Sequence, residues 1–151
     1  MPELTETEVL ELIRMAGGRD EPPDLHGRNL SNLGLYRVEM AGANLSGCDL
    51  SQTNLGMTDL TRADLSRADL GGASLQGADL TGAKLGGAYL FQASLIGAIL
   101  RGADLRGADL HAANLRDADL TDADLREAIY NEDTLWPLGF QAAPTGAIKR
   151  P

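Results

Sequence analysis

The sequence predicts an all-β solenoid, in which one short unit repeats along the chain and stacks on its own copies. Two observations predict it. Every fifth residue from Leu25 to Tyr130 is apolar, and 20 of these 22 positions are leucine. From Ala43 to Ala128 a small side chain stands two residues before each of them, and it is alanine at 15 of these 18 positions. Since so short a unit cannot bury its apolar side chain alone, the copies must stack to form a core.

A period of five residues fits neither regular element. On an α-helix a step of five rotates by about 500°, so successive leucines would spiral around the whole surface. On a flat strand an odd step would place them on alternate faces. The chain must therefore turn by the same amount once per unit and build coils whose backbones pair side by side. Leucine then points inward, alanine lies beside it in a narrow interior, and Asp, Asn, Ser, Thr and Gly occupy the corners.

The repeated unit reads Ala-Asp-Leu-x-x, as in ADLSR at residues 63–67, and Asp or Asn precedes the leucine in 12 of 18 repeats. This tandem pattern resembles the pentapeptide-repeat family over about residues 24–135. The resemblance implies a right-handed quadrilateral β-helix with four pentapeptides in each coil. Residues twenty apart would then be neighbours on one side of the solenoid.

The N-terminal segment is predicted to cover the open edge of the first coil, because exposed edges of stacked strands invite aggregation. Thr5 and Glu8 form a capping-box pattern. Apolar residues follow at helical spacing: Val9, Leu10, Leu12, Ile13 and Ala16. We predict a short α-helix over residues 6–16, ended by Gly17 and Gly18, within an N-terminal helical cap at 1–20.

After Tyr130 the five-residue repeat decays. A dense apolar cluster surrounds Pro137 and Gly139 and predicts a lid over the last coil: Leu135, Trp136, Leu138 and Phe140. Residues 141–151 are predicted to be a loose tail. The expected organisation is therefore a pentapeptide-repeat β-helix at 21–135, followed by a C-terminal cover and tail at 136–151.

The composition excludes some classes of function. The chain has 151 residues and a formal charge of −9, and this acidity argues against direct binding to nucleic acid, which needs Lys and Arg. No run approaches the 18 apolar residues of a transmembrane helix, and no secretory signal is visible. We therefore expect a cytoplasmic protein that binds neither nucleic acid nor membranes.

Nothing in the sequence predicts catalysis, a cofactor or a metal site. A narrow, filled coil offers no pocket in which reactive groups converge. His26 and His111 fall on different sides and several coils apart, so they cannot share a metal ion or a proton. Cys48 occupies an inward alanine position, where it is expected to be inert. The chain also lacks a phosphate-binding loop and a nucleophile elbow, so we expect a non-enzymatic protein.

One coil departs from the repeat and suggests a binding surface. Tyr89, Phe91, Ile96 and Ile99 occupy positions that should face solvent and that are polar in most other repeats. An exposed apolar cluster with a polar rim often marks an interaction site, and Tyr and Phe are common at interfaces. We predict that these residues contact another protein or a second copy of the chain. The alternative is sequence drift on a tolerant scaffold, since single exposed apolar residues are normal.

A different hypothesis concerns the acidic residues that precede the leucines. Taken every twenty residues, they form three interrupted columns: Asp64, Asp104 and Asp124; Asp49, Asp69 and Asp109; and Asp59, Asp79 and Asp119. The resemblance allows the function of the quinolone-resistance members, which are acidic rod-like dimers that bind DNA gyrase as mimics of DNA. Four arginines between residues 101 and 126 dilute the columns. The simpler interpretation is that the carboxylates stabilise the turns of the fold.

Overall fold

The computed structural model describes residues 4–17 and 21–151. Its regular elements, in chain order, are helix α1 (Glu6–Gly17), strand β1 (Ile129–Tyr130), a 3-10 helix (Ala143–Thr145) and strand β2 (Ile148–Lys149). The predicted helix stop at Gly18 and the predicted cap boundary at residue 20 lie outside the described residues.

Between α1 and β1 the chain winds into coils with a period of twenty residues. Parallel bridges join residues twenty apart, from the pair Asp24 and Asn44 onward. Each coil contains four bridged positions and four two-residue turns, so it has four sides with one pentapeptide on each. We number the sides by the bridged residues of one coil, which are Asp64 on side 1, Asp69 on side 2, Ser74 on side 3 and Asp79 on side 4.

The inward positions form one continuous core. The apolar side chain at every fifth position from Leu25 to Leu125 is buried, and each such leucine contributes about 1.5–3 kcal/mol. Three residues replace alanine in the second coil, and each donates a hydrogen bond to a leucine carbonyl of the first coil. Cys48, Thr53 and Thr58 do so at 3.0, 2.7 and 2.9 Å. Their polar atoms are therefore satisfied although buried.

The corners share one backbone conformation. The second residue of every turn, at each fifth position from Gly27 to Glu127, has a φ between +55° and +69°. Glycine adopts this left-handed region without strain, which explains why it recurs there, as at Gly82. Because all corners turn alike, successive coils superpose and the bridged positions align in columns.

Helix α1 forms as predicted, one residue longer than expected. In its capping box the Thr5 amide donates to the Glu8 carboxylate at 2.8 Å, and the Glu8 amide donates to the Thr5 hydroxyl at 3.3 Å. Val9 is buried in the core, and Ile13 packs against it partly buried. Leu10 and Leu12 are instead exposed, because positions 9 and 13 share one face of a helix whereas 10 and 12 flank it.

The C-terminal segment differs from the predicted loose tail. Asn114 bridges to Leu135 rather than to residue 134, so the register contains one extra residue. The chain then continues around the solenoid until β2 pairs in parallel with β1, which places Ile148 opposite Ile129. Residues 131–150 therefore form one more, irregular coil, held by backbone hydrogen bonds rather than by the leucine repeat.

Aromatic side chains close the core at this end. The Trp136 and Tyr130 rings pack at nearly right angles with a centroid distance of 5.4 Å, and Trp136 stacks on Phe140 at 5.1 Å. All three are partly buried against the core, so Trp136 and Phe140 pack where the sequence predicts a lid. The lid prediction is wrong for Leu138, which lies in the turn after Pro137 and is fully exposed.

Candidate partner-binding surface

Tyr89 and Phe91 form one exposed aromatic surface, which we call the aromatic pair. Their ring centroids lie 5.9 Å apart and their planes differ by 19°. Tyr89 is 42% exposed and Phe91 37%. Tyr89 stands on side 2, and Phe91 is the first corner residue between sides 2 and 3. The pair thus projects from the edge of one side.

Ile96 and Ile99 lie on other parts of the same coil. Ile96 is a half-buried residue at the corner between sides 3 and 4. Ile99 stands on side 4, bridged to Asp79. Since sides 2 and 4 of a four-sided coil face away from each other, one flat partner cannot cover Tyr89 and Ile99 together. The structure brings together two of the four residues that the sequence singled out.

A glycine of the preceding coil lets the Tyr89 ring lie close to the backbone. A Cβ atom at Gly71 would come within 3.2 Å of Tyr89 Cε1. This distance is shorter than ordinary van der Waals contact, so any side chain at Gly71 would push the ring outward. The absence of a side chain there therefore positions the pair.

Carboxylates flank the pair along side 2. Asp69 and Asp109 are the bridge partners of Tyr89 on the two neighbouring coils, and Asp49 lies one coil beyond Asp69. Asp109 contacts the imidazole of His111. Within the described ranges, no Lys or Arg side chain forms an ion pair with any of these three aspartates. The surroundings of the pair are therefore acidic.

Each aspartate of the acidic columns has a structural role in the turn that follows it. Each of the nine predicted aspartates accepts a hydrogen bond through Oδ1 from the backbone amide two residues later, at 2.9–3.2 Å. For example, Asp59 accepts from Thr61, and Asp79 accepts from Thr81, both at 2.9 Å. This is the Asx turn, which shapes tight corners.

Several of these aspartates also face a cation. Four of the nine aspartates form ion pairs with Lys or Arg: Asp64 with Lys84, Asp104 with Arg106, Asp119 with Arg101, and Asp124 with Arg126. Arg106 also approaches Asp124 at 3.7 Å, so it lies between two carboxylates of side 1. The charges of the side 1 carboxylates are therefore largely neutralised, unlike those of side 2.

Comparison with known families agrees with the twenty-residue coil. A family model for pentapeptide repeats matches eight copies, over residues 24–56, 58–95 and 88–127. The chain belongs to the pentapeptide-repeat family. Membership and the solved relatives imply a right-handed quadrilateral β-helix, in agreement with four bridged sides per coil. A comparison with curated proteins found no match.

Solved pentapeptide-repeat structures share the fold. HetL, a protein involved in heterocyst differentiation regulation from the cyanobacterium Nostoc sp. strain PCC 7120, is 33% identical with a TM-score of 0.78. The match covers 85% of this chain and 54% of HetL, so the chain spans about half of HetL's length. Rfr23 from the cyanobacterium Cyanothece 51142 is 26% identical with a TM-score of 0.76, over 85% of this chain and 99% of Rfr23. AT2G44920 from the Arabidopsis thaliana thylakoid lumen is 25% identical with a TM-score of 0.53, over 68% of each chain.

The residues of this pentapeptide-repeat protein that could bind a metal ion or take part in catalysis do not lie close together. His26 pairs with Asp24 on side 1, whereas His111 pairs with Asp109 on side 2. Across residues 4–17 and 21–151, no cluster of His, Cys, Asp and Glu could hold a metal ion. Burial raises the pKa of the Cys48 thiol, which keeps it protonated and poorly reactive. In the same part of the chain, no helix has the length and apolarity needed to cross a membrane.

The pKa of Asp119 tests whether hydrogen bonds within the turn hold the carboxylates of the acidic columns. The Thr121 hydroxyl donates to its carboxylate at 2.6 Å and, together with Arg101, lowers the pKa of Asp119 to about 2. We expect Thr121→Val to raise this pKa toward its ordinary value, and Arg101→Gln to raise it less. Carboxyl NMR shifts followed against pH measure both. An unchanged pKa in Thr121→Val would contradict the assignment.

The lowered pKa of Asp119 determines the direction in which the stability of the protein changes with pH. The folded-state pKa of Asp119 lies below the unfolded value of about 3.9. Its stabilising contribution is therefore complete above about pH 4 and is lost as the pH falls toward 2. Asp124, whose pKa Arg126 lowers to about 2, acts in the same direction.

Proposed function

We propose that this protein is a non-enzymatic scaffold that binds another protein through the aromatic pair. The observation that carries the proposal is the exposure of two stacked rings on a rigid side, where Asp69 and Asp109 flank them on the neighbouring coils. Exposed apolar groups rimmed by polar ones favour interaction sites, and aromatic residues dominate interface energetics. The neighbouring coils superpose around a filled core, so the pair is presented without a conformational change.

The family relationship is consistent with a binding role. HetL is involved in the regulation of heterocyst differentiation, and a regulatory protein with a filled coil interior acts most simply through its outer surface. The alternative of a DNA mimic that binds gyrase receives less support. Its carboxylates would have to project as regular rows of negative charge, whereas arginines neutralise those of side 1.

Capture of partners from an extract of the source organism tests the proposal. Wild-type protein should retain a partner at both low and high salt, because apolar contact is not screened. Phe91→Asp should lose that partner. Ile99→Asp is the matched control, since Ile99 has the same 37% exposure but stands on side 4. We expect this control to behave as the wild type.

Three results would count against the proposal. The first is a partner that Phe91→Asp and the wild type retain equally. The second is the capture of gyrase subunits, unaffected by Phe91→Asp and abolished by salt, which would favour the DNA-mimic alternative instead. Loss of the partner in Ile99→Asp alone would move the interface to side 4 and would likewise contradict a role for the aromatic pair.

A further inference from the structure

We propose that the aromatic pair binds the side chain of an arginine or lysine in a basic segment of the partner, with the carboxylates of Asp69 and Asp109 flanking the cation. This inference rests on the proposed function, because it states the chemistry of the partner that the pair would take. It is carried by three features of the molecule: the spacing of the carboxylates, the rings themselves and a second exposed tyrosine elsewhere on the solenoid.

The carboxylates stand at a suitable distance from the rings. Asp69 and Asp109 are one coil away from Tyr89 in opposite directions, which corresponds to about 4.8 Å between paired backbones. A cation held within about 6 Å of a ring centroid is attracted by the ring face. A cationic group over Tyr89 therefore also lies within reach of a carboxylate on either side.

A second exposed tyrosine shows how the chain itself uses this chemistry. Tyr36 projects from the corner between sides 3 and 4 and lies close to Gly56, as Tyr89 lies close to Gly71. The guanidinium of Arg37 stands 5.2 Å from the centroid of the Tyr36 ring. A glycine beside the tyrosine and a cation over it thus occur together in this fold.

The aromatic pair has the glycine but takes no cation from its own chain. The corner residue after Phe91 is Gln92, where Arg37 follows Tyr36. In the described part of the chain, no Arg or Lys lies over the Tyr89 or Phe91 ring. The cation that would complete the arrangement must therefore come from a partner. The three aspartates of side 2 favour a basic segment of a protein partner.

Two matched peptides test the inference with a defined probe. One is a nine-residue peptide with a central arginine between two leucines and Gly-Ser ends. The other carries citrulline, which has the same shape without the charge. We expect the arginine peptide to shift the aromatic NMR signals of Tyr89 and Phe91 and to bind about threefold to tenfold more tightly than the citrulline peptide.

Asparagine substitutions remove the charge of the carboxylates without removing their hydrogen bonds in the turns. In the double variant Asp69→Asn/Asp109→Asn the amide oxygens still accept the corner hydrogen bonds, so the fold is kept while the charge is removed. We expect this variant to bind the arginine peptide about threefold to tenfold more weakly. Asp59→Asn on side 4 is the control and should bind as the wild type. Tyr89→Leu/Phe91→Leu should lose the preference for arginine over citrulline, because it retains apolar area without rings.

The outcomes distinguish this inference from the proposed function. Equal binding of both peptides, wild-type binding by Asp69→Asn/Asp109→Asn, or no shift up to about 10 mM arginine peptide would each overturn the inference. The scaffold proposal would still stand if Phe91→Asp abolished partner capture, and the partner would then be apolar. If Phe91→Asp left capture intact, the proposed function itself would fail, whatever the peptides did.

Discussion

Replacing Leu80 with alanine is expected to destabilise the protein by about 3–5 kcal/mol. Leu80 is fully buried in the middle of the solenoid, and its nearest equivalents are Leu60 and Leu100 in the same column. The backbones of the three coils are tied together by ladder hydrogen bonds such as those from the Leu60 and Leu80 amides. The coils cannot collapse into the space, so a cavity remains and its full cost is felt.

Leu138→Ala is the matched control, because it removes the same atoms from a side chain that is fully exposed. Its effect should stay within about 0.5 kcal/mol. Urea unfolding of both variants, followed by circular dichroism and by the fluorescence of the single tryptophan, Trp136, measures the difference. Similar losses in the two variants would contradict the placement of leucine 80 in the core and leucine 138 in solvent.

Truncation of the chain after Gln141 is expected to have the second large effect. It removes β2 and leaves the edge of β1 without a partner. The amides of Glu127, Ile148 and Arg150 take part in backbone hydrogen bonds across this boundary, at 2.7–2.9 Å. At about 0.5–1.5 kcal/mol each, their loss should reduce the free energy of unfolding by about 2–4 kcal/mol.

The uncovered edge should also make the truncated chain associate, since unpaired strand edges bind other edges. Size-exclusion chromatography at several concentrations measures this association alongside urea unfolding. Ile148→Pro should reproduce part of the destabilisation in the full-length chain, because proline cannot donate the bond to Ala128. Lys149→Ala, which removes only an exposed ion pair with Glu132, should be nearly neutral. A truncated chain as stable and as monomeric as the wild type would show that the last coil contributes nothing.

The regular part of the fold could be predicted because one short unit determines both its core and its corners. Leucine every fifth residue requires a repeated turn, and Asp or Asn before it supplies the Asx bond that shapes the turn. The last coil could not be predicted in the same way. One extra residue before Leu135 shifts the register, and the inward position passes to Trp136 instead of a leucine. Backbone hydrogen bonds to β1 then hold a segment whose side chains carry no repeat.

The candidate surface could be predicted only in part, because the repeat determines which residues face outward but not which of them touch. The repeat identifies Tyr89, Phe91, Ile96 and Ile99 as outward residues of one coil, but outward positions ten residues apart lie on opposite sides. Contact between Tyr89 and Phe91 depends on ring orientation, which glycine 71 permits. Such contacts between coils are set by side-chain packing, and they do not follow from the period.

The twenty-residue register also gives the chain a simple rule for insertion and deletion. Because each coil touches only its neighbours, adding or removing a whole coil would translate the aromatic pair by about 4.8 Å along the axis and keep its bearing relative to helix α1. Adding or removing a single pentapeptide would instead rotate everything beyond it by a quarter turn. The number of units between α1 and the pair therefore sets a direction as well as a distance. Among changes by whole units, only the gain or loss of a multiple of four keeps the bearing of the pair.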